Sequence, residues 1–369
     1  MNISHVYIKG VAFMRFLAMR YAPFGGDRFK GRAYLASLNV TDNCCLKCVM
    51  CNQWQTTHSG ELKTEEWKDI LAQLKAEGIR EINLTGGEPL VRKDIFDLIG
   101  HARQLGLNVG MTSNAYLMNK ANIARLVASG VSTFNVSMDA VDAKYDEIRG
   151  VAGAYARLLA ACEELALKRK QEGVAVYLCF LLMKDTLADY KDVLALGEKL
   201  GLPVVINLFD INPYFFQVDG QKERFWIQEA QAQQLKTFQK FMVENKSLRD
   251  DFTYHSFSEI KYAADYFKDP LQKRLPCYVS QTRLCLGPKG EVFGGCWAMG
   301  VYGDLRKTAL KDILRSKRFI EAGRKMFHKQ CPGCSCGYSL NLRYAPRHIL
   351  QEMLYRILPW TRDAIGREQ

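Results

Sequence analysis

The chain has 369 residues, of which 48% are apolar and 24% are charged, and its formal net charge at pH 7 is +12. That composition is ordinary for a globular protein and excludes the disordered, collagen-like and low-complexity classes. Because no stretch approaches about 18 uninterrupted apolar residues, the sequence predicts no transmembrane helix and a cytoplasmic protein.

The first segment, residues 1–32, is basic and amphipathic, with six Lys or Arg residues against one Asp. Arg15 interrupts its apolar run and no small-residue cleavage site follows, so a secretory signal is not expected. Residues 341–369 predict a similar amphipathic helix. One hypothesis is peripheral contact of these segments with an anionic membrane, and the other is packing against the main domain. No basic-aromatic motif accompanies the charge, so no nucleic-acid partner is expected.

Six apolar segments alternate with five amphipathic ones between residues 33 and 215. Strands are predicted at Tyr34–Val40, Arg80–Leu84, Leu107–Thr112, Ser132–Met138, Val174–Met183 and Pro203–Phe209. Helices are predicted at Thr64–Glu77, Arg92–Leu105, Met118–Ser129, Ala152–Glu172 and Leu187–Leu200. A glycine follows each helix, where it accepts the left-handed conformation that ends a helix with little strain. The alternation predicts a parallel sheet with right-handed crossovers.

The predicted fold class is α/β, with a partial (β/α)6 TIM-like barrel over residues 33–215, because six units fall short of the eight in a closed barrel. Its chemistry is then expected at the C-terminal ends of the strands. Residues 216–275 are polar and predict a helical connector. Residues 276–340 are rich in Gly and Cys and predict a small second domain.

Three cysteines follow the first predicted strand with the spacing CxxxCxxC, namely Cys44, Cys48 and Cys51. Thiolates are soft ligands that suit iron–sulfur clusters or zinc. A 4Fe–4S cluster takes four cysteines, so three leave one iron open to a substrate or cofactor. The alternative is a structural zinc loop with a distant fourth ligand. Cys45 could compete for a ligand position, although a ligand adjacent in sequence would be strained.

The second predicted strand leads into Gly86-Gly87-Glu88-Pro89. Glycines let a ligand approach the backbone, and a fixed carboxylate can hold an ammonium group. With CxxxCxxC before it, this segment resembles the signature of the radical S-adenosylmethionine superfamily.

The resemblance implies that the three cysteines hold a 4Fe–4S cluster whose open iron chelates S-adenosylmethionine, and that Gly86, Gly87, Glu88 and Pro89 contact the methionine amino group. An external electron donor such as flavodoxin or ferredoxin would reduce the cluster. Cleavage of the sulfonium would then release a 5′-deoxyadenosyl radical, which abstracts a substrate hydrogen.

Two further strand ends are similar to family segments. Thr112-Ser113-Asn114 resembles a Thr-Asn-Gly turn, and Val136-Ser137-Met138-Asp139 resembles a Ser-Leu-Asp segment. By this resemblance Ser113, Asn114 and Ser137 are predicted to contact the cofactor. For Asp139 and Arg149, contact with an anionic group and a local ion pair both remain open. The ends of the last two strands offer candidates by location only, namely Asn207, Asp210 and Asn212.

A second group of cysteines resembles the SPASM/Twitch extension of the same superfamily. Cys277, Gly290 and Cys296 look like its opening hairpin, with Pro288-Lys289-Gly290 as the turn, and Cys331 and Cys334 form a CxxC pair. The resemblance implies that the cysteines of this group hold one auxiliary 4Fe–4S cluster that transfers electrons, and a structural zinc ribbon is the alternative. Whether Cys336 replaces Cys334 as a ligand or takes no part stays open, and so does whether Cys285 is a bystander. Cys162 and Cys179 are predicted to pack in the core.

The expected function is radical chemistry on a small polar metabolite, of a sugar-like or phosphorylated kind. One alternative is a peptide-modifying enzyme that forms thioethers or epimerises residues, and another is a non-enzymatic iron–sulfur electron carrier. No catalytic acid or base can be named from the sequence. The residues considered for that role are Asp210, Tyr214, His255, Trp297 and Tyr302.

Overall fold

A computed structural model describes residues 33–56, 59–210, 214, 221–245, 257–270, 277, 279–328, 330 and 331. Its strands are β1 (Leu35–Asn39), β2 (Glu81–Thr85), β3 (Asn108–Ser113), β4 (Val131–Ser137), β5 (Ala175–Leu182), β6 (Val204–Leu208), β7 (Arg283–Leu286), β8 (Glu291–Phe293) and β9 (Val301–Asp304). Its helices are α1 (Thr64–Ala76), α2 (Ile95–Gln104), α3 (Lys120–Ser129), α4 (Asp142–Arg149), α5 (Ala154–Glu172), α6 (Tyr190–Leu200), α7 (Gln221–Phe225), α8 (Ala232–Glu244), α9 (Phe257–Lys268), α10 (Leu310–Arg315) and α11 (Lys317–Phe327).

The strands form one sheet in the order β6-β5-β4-β3-β2-β1-β7-β8-β9. Neighbours from β6 to β1 all pair in parallel, and helices connect successive strands of this group. The order does not return to its start, so the sheet is open. The predicted α/β class with a partial barrel is therefore confirmed, and each of the six predicted strands is present to within a residue or two at either end.

The side-chain pattern accounts for these elements. Along β5 every second residue is buried, which matches the two-residue period of a strand. Helix α1 buries Trp67, Ile70, Leu71 and Leu74, which recur at the helical period along one face.

Glycine ends the helices as predicted. At the end of α3, Gly130 has a φ of 102°, a left-handed conformation in which a β-carbon would be strained.

The cysteine-rich region contributes its predicted hairpin, β7–β8, whose strands are antiparallel. This hairpin is continuous with the barrel sheet, because β7 pairs in parallel with β1. The turn of the hairpin also contacts the barrel, where the Leu62 amide donates to the Pro288 carbonyl at 2.7 Å. Pairing with β7 covers the edge of β1, which would otherwise present unpaired backbone groups. The predicted domain boundaries stay predictions.

Helices α7, α8 and α9 lie within the predicted helical connector. No helix in the described part of the chain is long and apolar enough to cross a membrane. Residues 1–32 and 341–369, on which the hypothesis of membrane contact depends, lie outside the described residues.

Candidate active site

The C-terminal ends of β1 to β4 bring the predicted site residues together. The cysteine loop follows β1 and the Gly86–Pro89 segment follows β2. Ser113 ends β3, Asn114 comes directly after it, and Ser137 ends β4. The strands are in register here, with Asn39 opposite Thr85 and Ser113 opposite Val136. Parallel pairing therefore places four loops with chemically active side chains at one edge of the sheet.

Backbone hydrogen bonds join the two signature segments directly. The Gly87 amide donates to the Thr41 carbonyl at 2.7 Å, and the Glu88 amide donates to the Asn43 carbonyl at 2.8 Å. A β-carbon on Gly87 would lie 2.5 Å from the Asp42 carbonyl oxygen and closer still to that of Asn43. The glycine at this position is thus required by the close approach of the chain's own cysteine loop.

Glu88 is buried and its carboxylate is surrounded by donors from the chain. Ser113 Oγ donates to the two carboxylate oxygens at 3.0 and 2.9 Å, and the amides of Asn114 and Leu90 donate at 2.9 and 3.1 Å. Burial nevertheless raises the pKa of Glu88 to about 7, against the donated hydrogen bonds, which lower it. The side chain therefore ties the end of β2 to the end of β3, and its contact with a ligand stays a prediction.

This raised pKa predicts a pH dependence of stability. Since the folded chain holds the proton at a pKa of about 7 against an ordinary 4.5, folding favours the protonated carboxyl. Its contribution to the free energy of unfolding is complete below about pH 4.5 and is lost as the pH rises through 7, a loss of about 3 kcal/mol. We expect urea unfolding of the cofactor-free chain to show this loss, and Glu88→Gln to remove it.

Glu81→Gln, at the opposite end of β2, is the control for this experiment and is expected to keep the wild-type pH dependence. An unchanged pH dependence in the Glu88→Gln variant would contradict the role assigned to Glu88.

The cysteine loop presents half-buried Cys44 and Cys51 and buried Cys48. The Asn114 side-chain amide donates to the sulfurs of Cys44 and Cys45 at 3.6 and 3.7 Å. Asn114 therefore lies beside the loop, as the prediction of a shared cofactor site requires. In the described part of the chain, no three His, Cys, Asp or Glu side chains form a group that could hold a single metal ion.

The protonation of these thiols is set by burial and by their neighbours. Burial raises the pKa of Cys51 to about 12 and raises that of Cys48, which Arg149 lowers in turn. The hydrogen bond between Cys44 and Cys45 raises the pKa of Cys44 and lowers that of Cys45. Because thiolates are the metal ligands, cluster binding must release protons from this loop.

The donor set fits an iron–sulfur cluster. Three thiols with the spacing CxxxCxxC supply soft ligands, and N–H donors from Asn114 and Arg149 face the sulfurs of the loop. Such donors around the sulfurs are the usual means by which a protein tunes a cluster.

Asp139 and Arg149 form a buried ion pair at the same edge, with the guanidinium and carboxylate 2.5 Å apart. Of the two interpretations left open by the sequence, the local ion pair is therefore present. Arg149 also contacts the Cys48 sulfur, at 3.6 Å, and no sequence pattern indicated this contact. Spacing could not reveal it, because 101 residues separate the two.

The C-terminal cysteines are only partly described. Cys277 and Cys296 are both buried and belong to one packed cluster with Val279 and Met326. Cys331 is half-buried, and Cys334 and Cys336 lie outside the described residues.

Two of the remaining cysteines, Cys285 and Cys162, are buried, whereas Cys179 is half-buried. Cys285 is fully buried against Phe293 and Trp297, and Cys162 is also buried, as predicted for a packing residue. Cys179 lies within β5.

Tyr214 links the two cysteine regions. Its hydroxyl accepts a hydrogen bond from Asn39 at 2.6 Å, and its carbonyl accepts one from Gln53 at 3.1 Å. Its ring stacks on Trp297 with centroids 4.6 Å apart. From the sequence, Tyr214 is only one of five candidates for a catalytic acid or base. Its contact with Asn39 joins residues 175 positions apart, which no local pattern indicates.

Of the other candidates named from the sequence, the structure describes Asn207, Asp210, Trp297 and Tyr302. Asn207 lies in β6 and Asp210 follows that strand. The Tyr302 hydroxyl donates to the Met299 carbonyl at 3.0 Å. Asn212 and His255 lie outside the described residues.

A family model described as the radical SAM superfamily matches residues 38–197. An AdoMet-dependent heme synthase of Nitratidesulfovibrio vulgaris is 31% identical over 81% of this chain and 86% of its own length. The enzyme of the same name from Oleidesulfovibrio alaskensis is 26% identical over 90% of both chains. A PqqA peptide cyclase of Rhodopseudomonas palustris is 34% identical over 33% of each chain.

Solved structures share the fold. SuiB of Streptococcus suis, bound to S-adenosylmethionine, has a TM-score of 0.62 at 17% identity and covers 80% of this chain and 68% of its own. The enzyme anSMEcpe, with AdoMet and a peptide bound, has a TM-score of 0.61 at 15% identity and covers 91% and 99%.

Proposed function

The chain belongs to the radical S-adenosylmethionine superfamily, whose members are enzymes that use a 4Fe–4S cluster and S-adenosylmethionine, and we propose that Cys44, Cys48 and Cys51 hold that cluster here. The observation that carries the proposal is the pair of backbone hydrogen bonds between the cysteine loop and the Gly86–Pro89 segment. They fix the cluster loop against the segment proposed to receive the methionine amino group.

The same geometry supports the other cofactor contacts that we propose. Ser113 and Asn114 are held beside the loop through Glu88, and Asn114 reaches the sulfur of Cys44. Ser137 ends β4, the strand beside β3. We assign these three side chains to S-adenosylmethionine, and Asn114 also contacts the thiols of the cysteine loop.

When bound, the reduced cluster and S-adenosylmethionine would supply a 5′-deoxyadenosyl radical for abstraction of a substrate hydrogen. The chain's own part is to bind, orient and exclude water. Glu88 contributes by holding two strand ends together, and burial of Cys48 keeps solvent from its sulfur.

We further propose one auxiliary 4Fe–4S cluster on Cys277, Cys296, Cys331 and Cys334. Its support is that Cys277 and Cys296, 19 positions apart in the sequence, are buried in the same packed cluster. A cluster with four cysteine ligands has no open iron and would transfer electrons.

The proposed substrate is a small polar molecule bearing anionic groups. The heme synthase relatives support a small-molecule substrate, since they match 81–90% of this chain. The chain's net charge of +12 favours an anion. Carboxylate-bearing iron porphyrins are therefore the first compounds to test, followed by sugar phosphates.

A peptide substrate is the second candidate. Its support is the match to PqqA peptide cyclase, which spans only a third of this chain. The match covers too little of the chain to favour the peptide over the small molecule.

The test is anaerobic formation of 5′-deoxyadenosine by the reconstituted chain with reduced flavodoxin or ferredoxin as electron donor. We expect an iron porphyrin or other anionic small molecule to raise the rate above the substrate-free rate, and peptides to leave it unchanged. Stimulation by peptides alone would favour the second candidate. A reduced chain that forms no 5′-deoxyadenosine and does not bind S-adenosylmethionine would favour an electron carrier.

A further inference from the structure

Arg149 and Asp139 form a charged pair within the core beside the cysteine loop. Only 7% of Arg149 and 1% of Asp139 is exposed. The pair lies at the end of α4 and just after β4, two elements joined by a short loop. A buried ion pair often contributes little net stability, because removing both charges from water offsets their attraction. Its presence here therefore requires another explanation.

The surroundings orient the guanidinium toward sulfur. The Leu181 amide donates to the Asp139 carboxylate at 3.2 Å, which fixes the acid. The guanidinium lies 5.3 Å from the centre of the Tyr145 ring and donates to the Cys48 sulfur at 3.6 Å.

The backbone holds Cys48 in place for this contact. The Lys47 amide donates to the Arg149 carbonyl and the Val49 amide donates to the Ile148 carbonyl, both at 3.0 Å. Gly150, which ends α4, leaves no room for a β-carbon against the Lys47 carbonyl oxygen. The residues on either side of Cys48 are thus bound to the last turn of the helix that carries Arg149.

Such a contact affects the reduction potential of a cluster bound at Cys48. Reduction adds one negative charge to an iron–sulfur cluster, and a positive donor beside a ligating sulfur stabilises that charge. Asp139 opposes the effect, but the guanidinium is the group that contacts the sulfur, at 3.6 Å.

We propose that Arg149 is a positioning residue that, held by Asp139, donates a hydrogen bond to the Cys48 sulfur and raises the reduction potential of the cluster bound there. This inference rests on the proposed function, in which Cys48 is a cluster ligand.

The test is a redox titration followed by electron paramagnetic resonance on the reconstituted chain. The relevant signal is the one lost from the Cys44/Cys48/Cys51→Ala triple variant. The double variant Arg149→Gln/Asp139→Asn removes the charges as a pair and leaves no unpaired buried ion. We expect it to keep its iron but to show a tenfold lower ratio of reduced to oxidised cluster at a fixed potential, a midpoint about 59 mV lower.

Two further variants separate this effect from general charge and from folding. Arg149→Lys keeps the charge in a single ammonium, and we expect a smaller shift in the same direction. The variant Lys144→Gln/Asp189→Asn removes another ion pair, in which Lys144 Nζ lies 2.6 Å from an Asp189 carboxylate oxygen. Lys144 lies on α4, as Arg149 does. We expect this control to keep the wild-type potential.

Three results would overturn the inference. They are an unchanged potential in the Arg149→Gln/Asp139→Asn variant, an equal shift in the Lys144 control, and loss of iron from both Arg149 variants, which would make the role structural. A wild-type chain without the signal would instead overturn the proposed function, and this inference with it.

Discussion

Replacing Cys44, Cys48 and Cys51 together with alanine is expected to remove about four irons per chain and to abolish formation of 5′-deoxyadenosine. The remaining cysteine of the loop, Cys45, cannot hold a cluster alone. If the C-terminal cysteines hold an auxiliary cluster, wild type contains about eight irons and the variant about four. Iron and sulfide per chain after anaerobic reconstitution measure both values.

The matched control is Cys45→Ala. Cys45 lies in the same loop, is half-buried like Cys44, and contacts the same Asn114 side chain. We expect this variant to keep its iron and its activity, because a ligand adjacent to Cys44 would be strained. Loss of four irons from Cys45→Ala would make it a ligand, and an iron content unchanged in the triple variant would refute the assignment of the cluster.

A result of about four irons in wild type and about none in the triple variant would have a different meaning. The C-terminal cysteines would then be structural or bound to zinc, and electron transfer through an auxiliary cluster would be excluded. The proposed radical chemistry at the first site would stand, since it depends on the other loop.

The sequence was sufficient for those parts of the fold that local pattern determines. Strands such as β5 have the two-residue period, and helices such as α3 end at a glycine that takes a left-handed conformation. A parallel sheet follows from their alternation, and so does the edge at which the loops meet. The juxtaposition of the two signature segments therefore follows from the sequence alone.

Contacts between residues far apart in the sequence could not be predicted in this way. The pairing of β7 with β1 has no local signal, because the apolar alternation of β7 suits a separate hairpin equally well. The contact between Arg149 and Cys48 depends on how the loop after β4 orients α4 against the cysteine loop. Pairing of distant residues requires the folded geometry, which local sequence patterns do not contain.

The reason for the glycines at the second signature segment also needed the structure. From the sequence, Gly86 and Gly87 are expected to make room for a ligand. In the folded chain they make room for the cysteine loop, since a β-carbon on either residue would overlap atoms of residues 39–43. Under the proposed function this pair of residues serves two purposes, because the backbone proposed to receive the cofactor also supports the cysteine loop.

Gly87→Ala is accordingly expected to lower the rate of 5′-deoxyadenosine formation by roughly 100-fold, because its β-carbon must displace the backbone of Asp42 and Asn43, next to Cys44. The same overlap is expected to lower the free energy of unfolding by about 1–3 kcal/mol. The two effects are measured by anaerobic turnover and by urea unfolding.

Gly100→Ala is the matched control, because Gly100 lies in α2 and a β-carbon there would meet no neighbouring side chain or segment within 4 Å. An alanine in a helix interior is expected to raise the free energy of unfolding by about 1 kcal/mol and to leave turnover unchanged. Full activity in Gly87→Ala would mean that the cysteine loop can shift without harm. The close approach of the two signature segments would then be a consequence of the fold and not a requirement of the chemistry.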